Sequence, residues 1–388
     1  MVNRSADSIF AFEMAGLYIH IPFCASRCIY CAFHSTTRNA LHAAYAEAVC
    51  REMEIRSDFF RGDSVRTVYF GGGTPSQMEP ELLRSIILKA DRTFGLSDVG
   101  EMTLECNPDD INAGYLAALQ STPVNRISMG VQSFHNSRLE FLNRRHTAEE
   151  AMAAVRQCQE AGFRNISIDL IYGQPGQSTD EFRDDLATAV SIGVTHISAY
   201  CLSYEEGTPL LKILQEGKIE ATSDEVCAEM YETLCNAMKA AGFRHYEISN
   251  FALPGYRSRH NSSYWNGTRY LGIGSGAHSY DGRIRRWNVA DLDRYISSTL
   301  AGTPETEQEE LSVTDRYNEM VMLSLRTGEG LALEQMDGIF GAGSADAFLT
   351  AAGPWLEKGD LIREGGTVHF SESGLFTCDA VISSLFRE

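Results

Sequence analysis

Short β-rich runs alternate with longer helical stretches through the first two-thirds of the chain, and this alternation narrows the possible folds more than any other feature. The strand candidates are Leu17–Phe23, Arg66–Gly71, Glu101–Cys106, Asn125–Gly130, Asn165–Ile171 and Thr195–Cys201. Helical patterns lie between them near 39–60, 79–94, 112–120, 147–162 and 179–192. Six strands separated by five helices predict parallel βαβ units rather than an antiparallel sandwich. Ala161-Gly162-Phe163-Arg164 leads into the fifth strand, and Ala241-Gly242-Phe243-Arg244 leads into another at Tyr246–Asn250. In both, glycine can take the left-handed conformation that ends a helix, as Gly95 can after Phe94. In such a sheet the chemistry collects at the carboxyl ends of the strands, where the βα loops converge.

With 388 residues the chain exceeds what one core usually supports. After Ala301 comes a polar acidic stretch, Gly302 to Glu310, which reads as a linker. Helices near 312–326 and 331–340 follow, then a hairpin with Gly365-Gly366 at its turn, a pattern resembling a winged helix. The expected division is 1–215, 216–301 and 302–388. Acidic residues outnumber basic ones by 52 to 33, a formal charge of -19, which argues against a nucleic-acid partner. No run reaches the ~20 apolar residues of a membrane span, and the first twenty residues do not read as a secretion signal. Of ten cysteines only three are closely clustered, so metal or catalysis is expected before disulfides, in a cytoplasmic protein.

Those three are Cys24, Cys28 and Cys31, spaced C-x3-C-x2-C directly after the first strand. Three thiolates on one loop can wrap three corners of a cubane, leaving one iron open to a non-protein ligand. Two plainer readings stand beside this one. His34 is near enough in sequence to complete a four-coordinate zinc site, or the thiols are simply structural. After the second strand, Gly71-Gly72-Gly73-Thr74-Pro75 is expected to bring a ligand close to the backbone and offer it N–H groups, unless it is only a tight turn.

With both motifs in this order, the chain resembles radical S-adenosylmethionine (SAM) proteins of the HemN/HemW group over essentially its whole length. The resemblance implies a partial (β/α)6 TIM-like barrel with an added α/β segment and a small C-terminal domain. It implies a [4Fe–4S] cluster on Cys24, Cys28 and Cys31, with SAM on the open iron. It assigns SAM to Tyr18, Tyr30, Gly72, Gly73, Thr74, Glu105, Gln132, Arg144 and Asp169. Glu105 ends the third strand, placed to accept from ribose hydroxyls, and Arg144 suits the SAM carboxylate because a guanidinium pairs with it bidentately. Asp169 within an apolar strand needs a polar partner. The run Gly272 to Ser279 lacks dinucleotide-fingerprint spacing. The family places it as a loop closing the site with His278 near SAM, and a structural turn is the equal alternative.

Two features bear on the branch. Coproporphyrinogen-oxidising members resemble C-x3-C-x2-C-x-C with an N-terminal extension, whereas this chain has Ala32-Phe33 after Cys31 and begins close to the loop. His260-Asn261-Ser262-Ser263-Tyr264-Trp265 looks like the H-N-x-x-Y-W element of HemW-type haem chaperones. Neutral imidazole is a good haem ligand, and Tyr264 and Trp265 offer a porphyrin flat apolar surface. The plain alternative is a packed loop with His260 hydrogen-bonded internally. One departure is Ala32, where such proteins commonly carry Asp. The resemblance thus implies haem as cargo, an apo-haemoprotein client, and peripheral membrane association only through that client. The alternative function is a SAM-consuming enzyme on a porphyrin or other small molecule, such as a coproporphyrinogen dehydrogenase or radical methyltransferase.

Overall fold

The computed structural model describes residues 14–388. Six strands, β1 (Met14–Ile21), β2 (Ser64–Gly72), β3 (Glu101–Cys106), β4 (Arg126–Gln132), β5 (Asn165–Tyr172) and β6 (His196–Cys201), lie side by side in chain order and all parallel. The helices α1 (His42–Ile55), α2 (Pro80–Phe94), α3 (Ala113–Leu119), α4 (Asn136–Phe141), α5 (Ala148–Glu160) and α6 (Thr179–Ser191) make the crossovers. The extra short helix α4 lies in the loop after β4. Helices α5 and α6 open on capping boxes, Thr147 with Glu150 and Ser178 with Glu181, satisfying N–H groups that the first turn leaves free. Gly95, Gly162 and Gly242 take φ of 69°, 94° and 84° at helix ends, as their sequence context predicts.

The outward sides of the strands are nearly all apolar. Leu17, Ile19, Val68, Phe70, Leu104, Ile127, Met129, Ile168 and Ile197 pack into the main core under the helices. The inward sides are polar: Tyr18, Tyr69, Glu105, Ser128, Asp169 and Ser198 occupy alternate positions of β1 to β6. Period-two alternation puts one set against the helices and the other inside the curled sheet.

After α7 (Pro209–Gln215) and α8 (Asp224–Ala240), the expected strand at 246–250 is divided into β7 (Arg244–Glu247) and β8 (Asn250–Ala252), antiparallel beyond β6. Helix α9 (Arg259–Trp265) precedes β9 (Tyr270–Ile273), a seventh parallel strand on the free side of β1. Beyond it lie β10 (His278–Tyr280), β11 (Ile284–Asn288), helix α10 (Leu292–Leu300) and β12 (Thr306–Glu310), which complete a twelve-stranded sheet.

Here the expected linker is corrected, because residues 306–310 form the edge strand β12, antiparallel to β11. All five side chains are exposed, so no apolar alternation marks the strand. Cross-strand pairs hold it instead, Glu310 with Arg283 and Glu309 with Arg285.

The remainder runs α11 (Val313–Leu325), β13 (Leu331–Ala332), α12 (Leu333–Phe340), α13 (Ser344–Lys358), β14 (Leu361–Glu364), β15 (Thr367–Phe370) and α14 (Cys378–Ser384). The order helix–strand–helix–helix–strand–strand is winged-helix-like, around a separate core of Tyr317, Val321, Leu325, Met336, Phe348 and Val368. Among the described residues, no helix is long and apolar enough to cross a membrane.

Candidate cluster and cofactor site

The cysteine loop leaves the carboxyl end of β1 and is seated on the glycine turn after β2. The Gly73 and Thr74 amides donate to the Ile21 and Phe23 carbonyls at 2.8 and 2.7 Å. The Gly72 amide donates to Glu105 Oε2 at 3.1 Å. These three N–H groups therefore serve the protein itself, a correction to the expectation that they face a ligand. Glycine is required here for close approach. A Cβ on Gly73 would sit 2.7 Å from the Pro22 carbonyl carbon, and Gly72 combines φ of 115° with the His20 ring beside it.

The three thiols are free and half-buried. Burial pushes the Cys24 and Cys31 thiols up. A polar chain joins two of them. Arg144 Nη1 donates to Cys28 Sγ at 3.3 Å and Nη2 to Asn107 Oδ1 at 2.7 Å. Asn107 Nδ2 donates to Thr74 Oγ1 at 3.3 Å, whose hydroxyl donates to Cys24 Sγ at 3.5 Å. Donors aimed at sulfur suit thiolates that carry negative charge toward a cluster. Among the described residues no three His, Cys, Asp or Glu side chains close on a single ion position. His34 Nε2 bonds Ser275 Oγ instead, at 3.1 Å. His34 is thus engaged with Ser275 and does not complete a zinc cage with the three thiols.

Several of the sequence-assigned cofactor residues meet at the tops of β3 and β4. A bulge at Gly130–Gln132 leaves Gln132 at φ of 71°, an uncommon conformation for a non-glycine residue. A Cβ on Gly130 would meet Gln132, Arg144 and Asn107 within 3.5 Å. Arg144 also donates to the Gly130 carbonyl, and its buried Nε has no partner. Glu105 accepts from Tyr69 OH at 2.7 Å, and burial is the main cause that raises its carboxyl to about 7. Asp169 lies across the interior, raised by burial to about 6, with Ser198 as the polar partner its sequence context demanded. Tyr30 packs with Leu142, Ile171 and Leu210 beside the cysteine loop. Tyr18 points inward, its hydroxyl on His20 Nδ1 at 3.0 Å. His20 Nε2 donates to the His34 carbonyl at 3.0 Å, which fixes Nδ1 as the acceptor.

Two sequence expectations land elsewhere. Ser275 and Gly276 of the later glycine run do pack on His34, but His278 is exposed and stacks on Trp287 at 5.7 Å. It is not brought to the cysteine loop. His260 belongs to the opposite, amino-terminal end of the strands. It is fully buried, with Nδ1 2.9 Å from Thr67 Oγ1 and Nε2 3.0 Å from Tyr264 OH. Its ring lies 5.1 Å from Tyr69, and burial lowers it to about 3, so it stays neutral. Glu101 accepts from the Arg259 and His260 amides at 2.9 Å, fixing the start of α9 beneath the sheet. His260 and Tyr264 therefore act as a packed plug, with no ring nitrogen open to a haem iron, while Trp265 is half-buried.

Two residues here were not singled out from sequence. Asn107 is the junction between the two cysteines, and its signal was a polar residue directly after a strand end. Arg126 is the largest fully buried side chain, with Nε and Nη1 unpartnered. Its signal was an inward register shared with Ser128 and Gly130.

A parallel curled sheet with a three-thiol loop at its carboxyl end is the architecture of radical SAM proteins. The family profile described as the Radical SAM superfamily matches residues 18–189, and that of the HemN C-terminal domain matches 311–377. A protein of Bacillus subtilis named "Heme chaperone HemW" is 32% identical, covering 97% of this chain and 100% of its own. A Mycobacterium tuberculosis protein of the same name is 35% identical, covering 95% of this chain and 94% of its own. The solved structure of coproporphyrinogen III oxidase (HemN) from Escherichia coli superposes with a TM-score of 0.83 at 22% identity, covering 98% and 92% of the two chains, which establishes a shared fold. The chain belongs to the radical SAM superfamily and, within it, to the HemW family. Membership implies a [4Fe–4S] cluster and SAM.

Proposed function

We propose that this protein is a haem chaperone, which binds haem and delivers it to an apo-haemoprotein, with cluster and SAM assisting. The observation that carries this reading is full-length similarity to proteins named for that role. Ala32-Phe33 after Cys31, in place of a further cysteine, also favours it over porphyrinogen oxidation. In this reading Cys24, Cys28 and Cys31 hold the cluster. Arg144, Gln132, Glu105, Asp169, Tyr30, Thr74 and the Gly72-Gly73 backbone line the SAM site, with Tyr18 behind them. When bound, cluster and SAM supply one-electron chemistry. The chain's own residues orient them: Arg144 and Thr74 donate to the thiolates, and Glu105 accepts from a ribose. Three units are proposed, the barrel to about 215, the α/β extension, and a C-terminal unit beginning after β12.

The test is a haem titration of the anaerobically reconstituted protein, followed at the Soret band, with 5′-deoxyadenosine measured in parallel. Saturable binding without substrate-dependent 5′-deoxyadenosine release is the expected result. Non-saturable absorbance, together with such release on a porphyrin substrate, would instead favour a SAM-consuming enzyme, the reading that shares the HemN fold. Cys28→Ser should lose the cluster iron while far-UV circular dichroism is unchanged. A folded variant with full iron content would remove Cys28 from the ligand set.

A further inference from the structure

The face of the barrel opposite the cysteine loop carries a cleft of about 710 Å³, within the ~300–1,000 Å³ range of small-molecule sites. Three guanidinium groups line it, Arg66, Arg257 and Arg259, against one carboxylate, Asp98, in a chain of net charge -19. Arg257 is already committed. It pairs with Glu329, donates to Ser262 Oγ at 2.8 Å and lies 4.7 Å over the Tyr246 ring. The other two are not. Arg66 reaches Asp98 only at 3.8 Å. The Arg259 side chain is exposed and makes no hydrogen bond or ion pair among the described residues. A Cβ on Gly100 would come within 2.6 Å of its Nη1, so glycine keeps the room that this guanidinium occupies.

The remaining polar groups of the cleft divide into donors and acceptors. Ser263 Oγ donates to the His260 carbonyl and Thr268 Oγ1 to Asn266 Oδ1, both at 2.6 Å. With their one proton spent, both oxygens can only accept from a ligand. Asn266 Oδ1 takes the Thr268 amide as well, at 3.0 Å, which leaves Nδ2 as the group that side chain can offer outward. The cleft thus presents an anion with two guanidinium groups and an amide, and presents ligand hydroxyls with two oxygens and a carboxylate. Its lining contains no aromatic side chain, so no flat apolar face receives a nucleobase. A phosphate monoester carries about -1.5 to -2 charge at pH 7, which matches two guanidinium groups better than a single carboxylate does and pairs with each bidentately. We propose that this cleft binds a sugar phosphate, with the phosphoryl group on Arg259 and Arg66 and the hydroxyls on Ser263, Thr268 and Asp98. The site stands apart from the cysteine loop and does not depend on haem binding.

The experiment is isothermal titration calorimetry on the reconstituted full chain. Ribose 5-phosphate and glucose 6-phosphate are compared with inorganic phosphate, with gluconate and with the two unphosphorylated sugars. A sugar phosphate is expected to bind saturably, about ten-fold or more tighter than inorganic phosphate or gluconate, and the free sugars to give no saturable heat. Arg259→Gln should weaken that binding about ten-fold and Arg66→Gln by less. Both side chains are exposed, so both variants should keep the wild-type far-UV circular dichroism. Gly100→Ala, which displaces the Arg259 guanidinium without removing it, should fall between wild type and Arg259→Gln. Binding no tighter than that of inorganic phosphate or gluconate, affinity unchanged in both arginine variants, or no saturable heat with either sugar phosphate would each overturn the site. All of these outcomes leave the chaperone reading, which haem tests, as it stands.

Discussion

His260 has both ring nitrogens on hydroxyl groups inside the protein and no accessible surface. Truncating it would leave a cavity beneath the sheet and strand the Thr67 and Tyr264 hydroxyls. His260→Ala should therefore cost about 2–4 kcal/mol of stability, read as a lower urea midpoint with an unchanged slope. A midpoint within error of wild type would remove it from the packed plug. Glu105 is the second residue whose environment makes a measurable claim. Its folded carboxyl is raised, chiefly by burial, to about 7, against ~4.3 in an unfolded chain. Between those values the folded apo-protein holds a proton that the unfolded chain has lost. Stability from this group is full below about pH 4 and is lost as pH rises through about 7. Glu105→Gln should flatten that fall, gaining on the order of 2 kcal/mol at pH 8 in SAM-free protein. The check is urea denaturation of both proteins from pH 5 to 8, and parallel pH profiles would contradict the assignment.

At the scale of elements, the cysteine loop takes its shape from contact with the turn after β2. Two backbone hydrogen bonds and a glycine contact too close for any side chain join them. Gly73→Ala pushes a methyl group against the Pro22–Phe23 backbone, which cannot swing aside as a flexible side chain would. The loop must move, and iron bound per protein after reconstitution should fall several-fold while helix content stays constant. Full iron loading in this variant would mean that the loop sets its own geometry. At the other end of the sheet, β12 explains why an acidic stretch can be a strand. Its side chains face solvent on both sides, so the backbone ladder with β11, flanked by the Arg283 and Arg285 ion pairs, fixes it in place rather than apolar burial.

For the molecule as a whole, the charge of -19 is a property of the entire surface, and the winged-helix-like unit must be judged within it. That unit's order of elements also occurs in DNA-binding proteins, but counterion release requires a basic surface. Double-stranded DNA at about 0.15 M salt should leave the protein's electrophoretic mobility unchanged. A salt-sensitive shift would show a local basic face strong enough to overcome the average. The unit instead docks on the α/β extension. Ile248 and Gly328 amides bond across to Arg326 and Tyr246 carbonyls, and Arg257 pairs with Glu329.

The parallel βαβ character of β1 to β6, the helix stops at Gly95, Gly162 and Gly242, and the three-thiol loop were all legible in the sequence. Each follows from local chemistry: hydrophobic period, left-handed glycine, and ligand spacing within one short segment. Most of the residues proposed to hold the cofactor could be placed at the tops of β2 to β5 for the same reason, since each sits at a strand end or just beyond it. Only the tertiary structure decided where distant segments meet. It turned His260 inward against Thr67, sent His278 away to Trp287, spent the glycine-loop amides on the cysteine loop, and made Asn107 the bridge between two thiols. Those outcomes depend on contacts between residues up to 193 positions apart, and a side chain's partners at that range are set by packing, which no local pattern encodes.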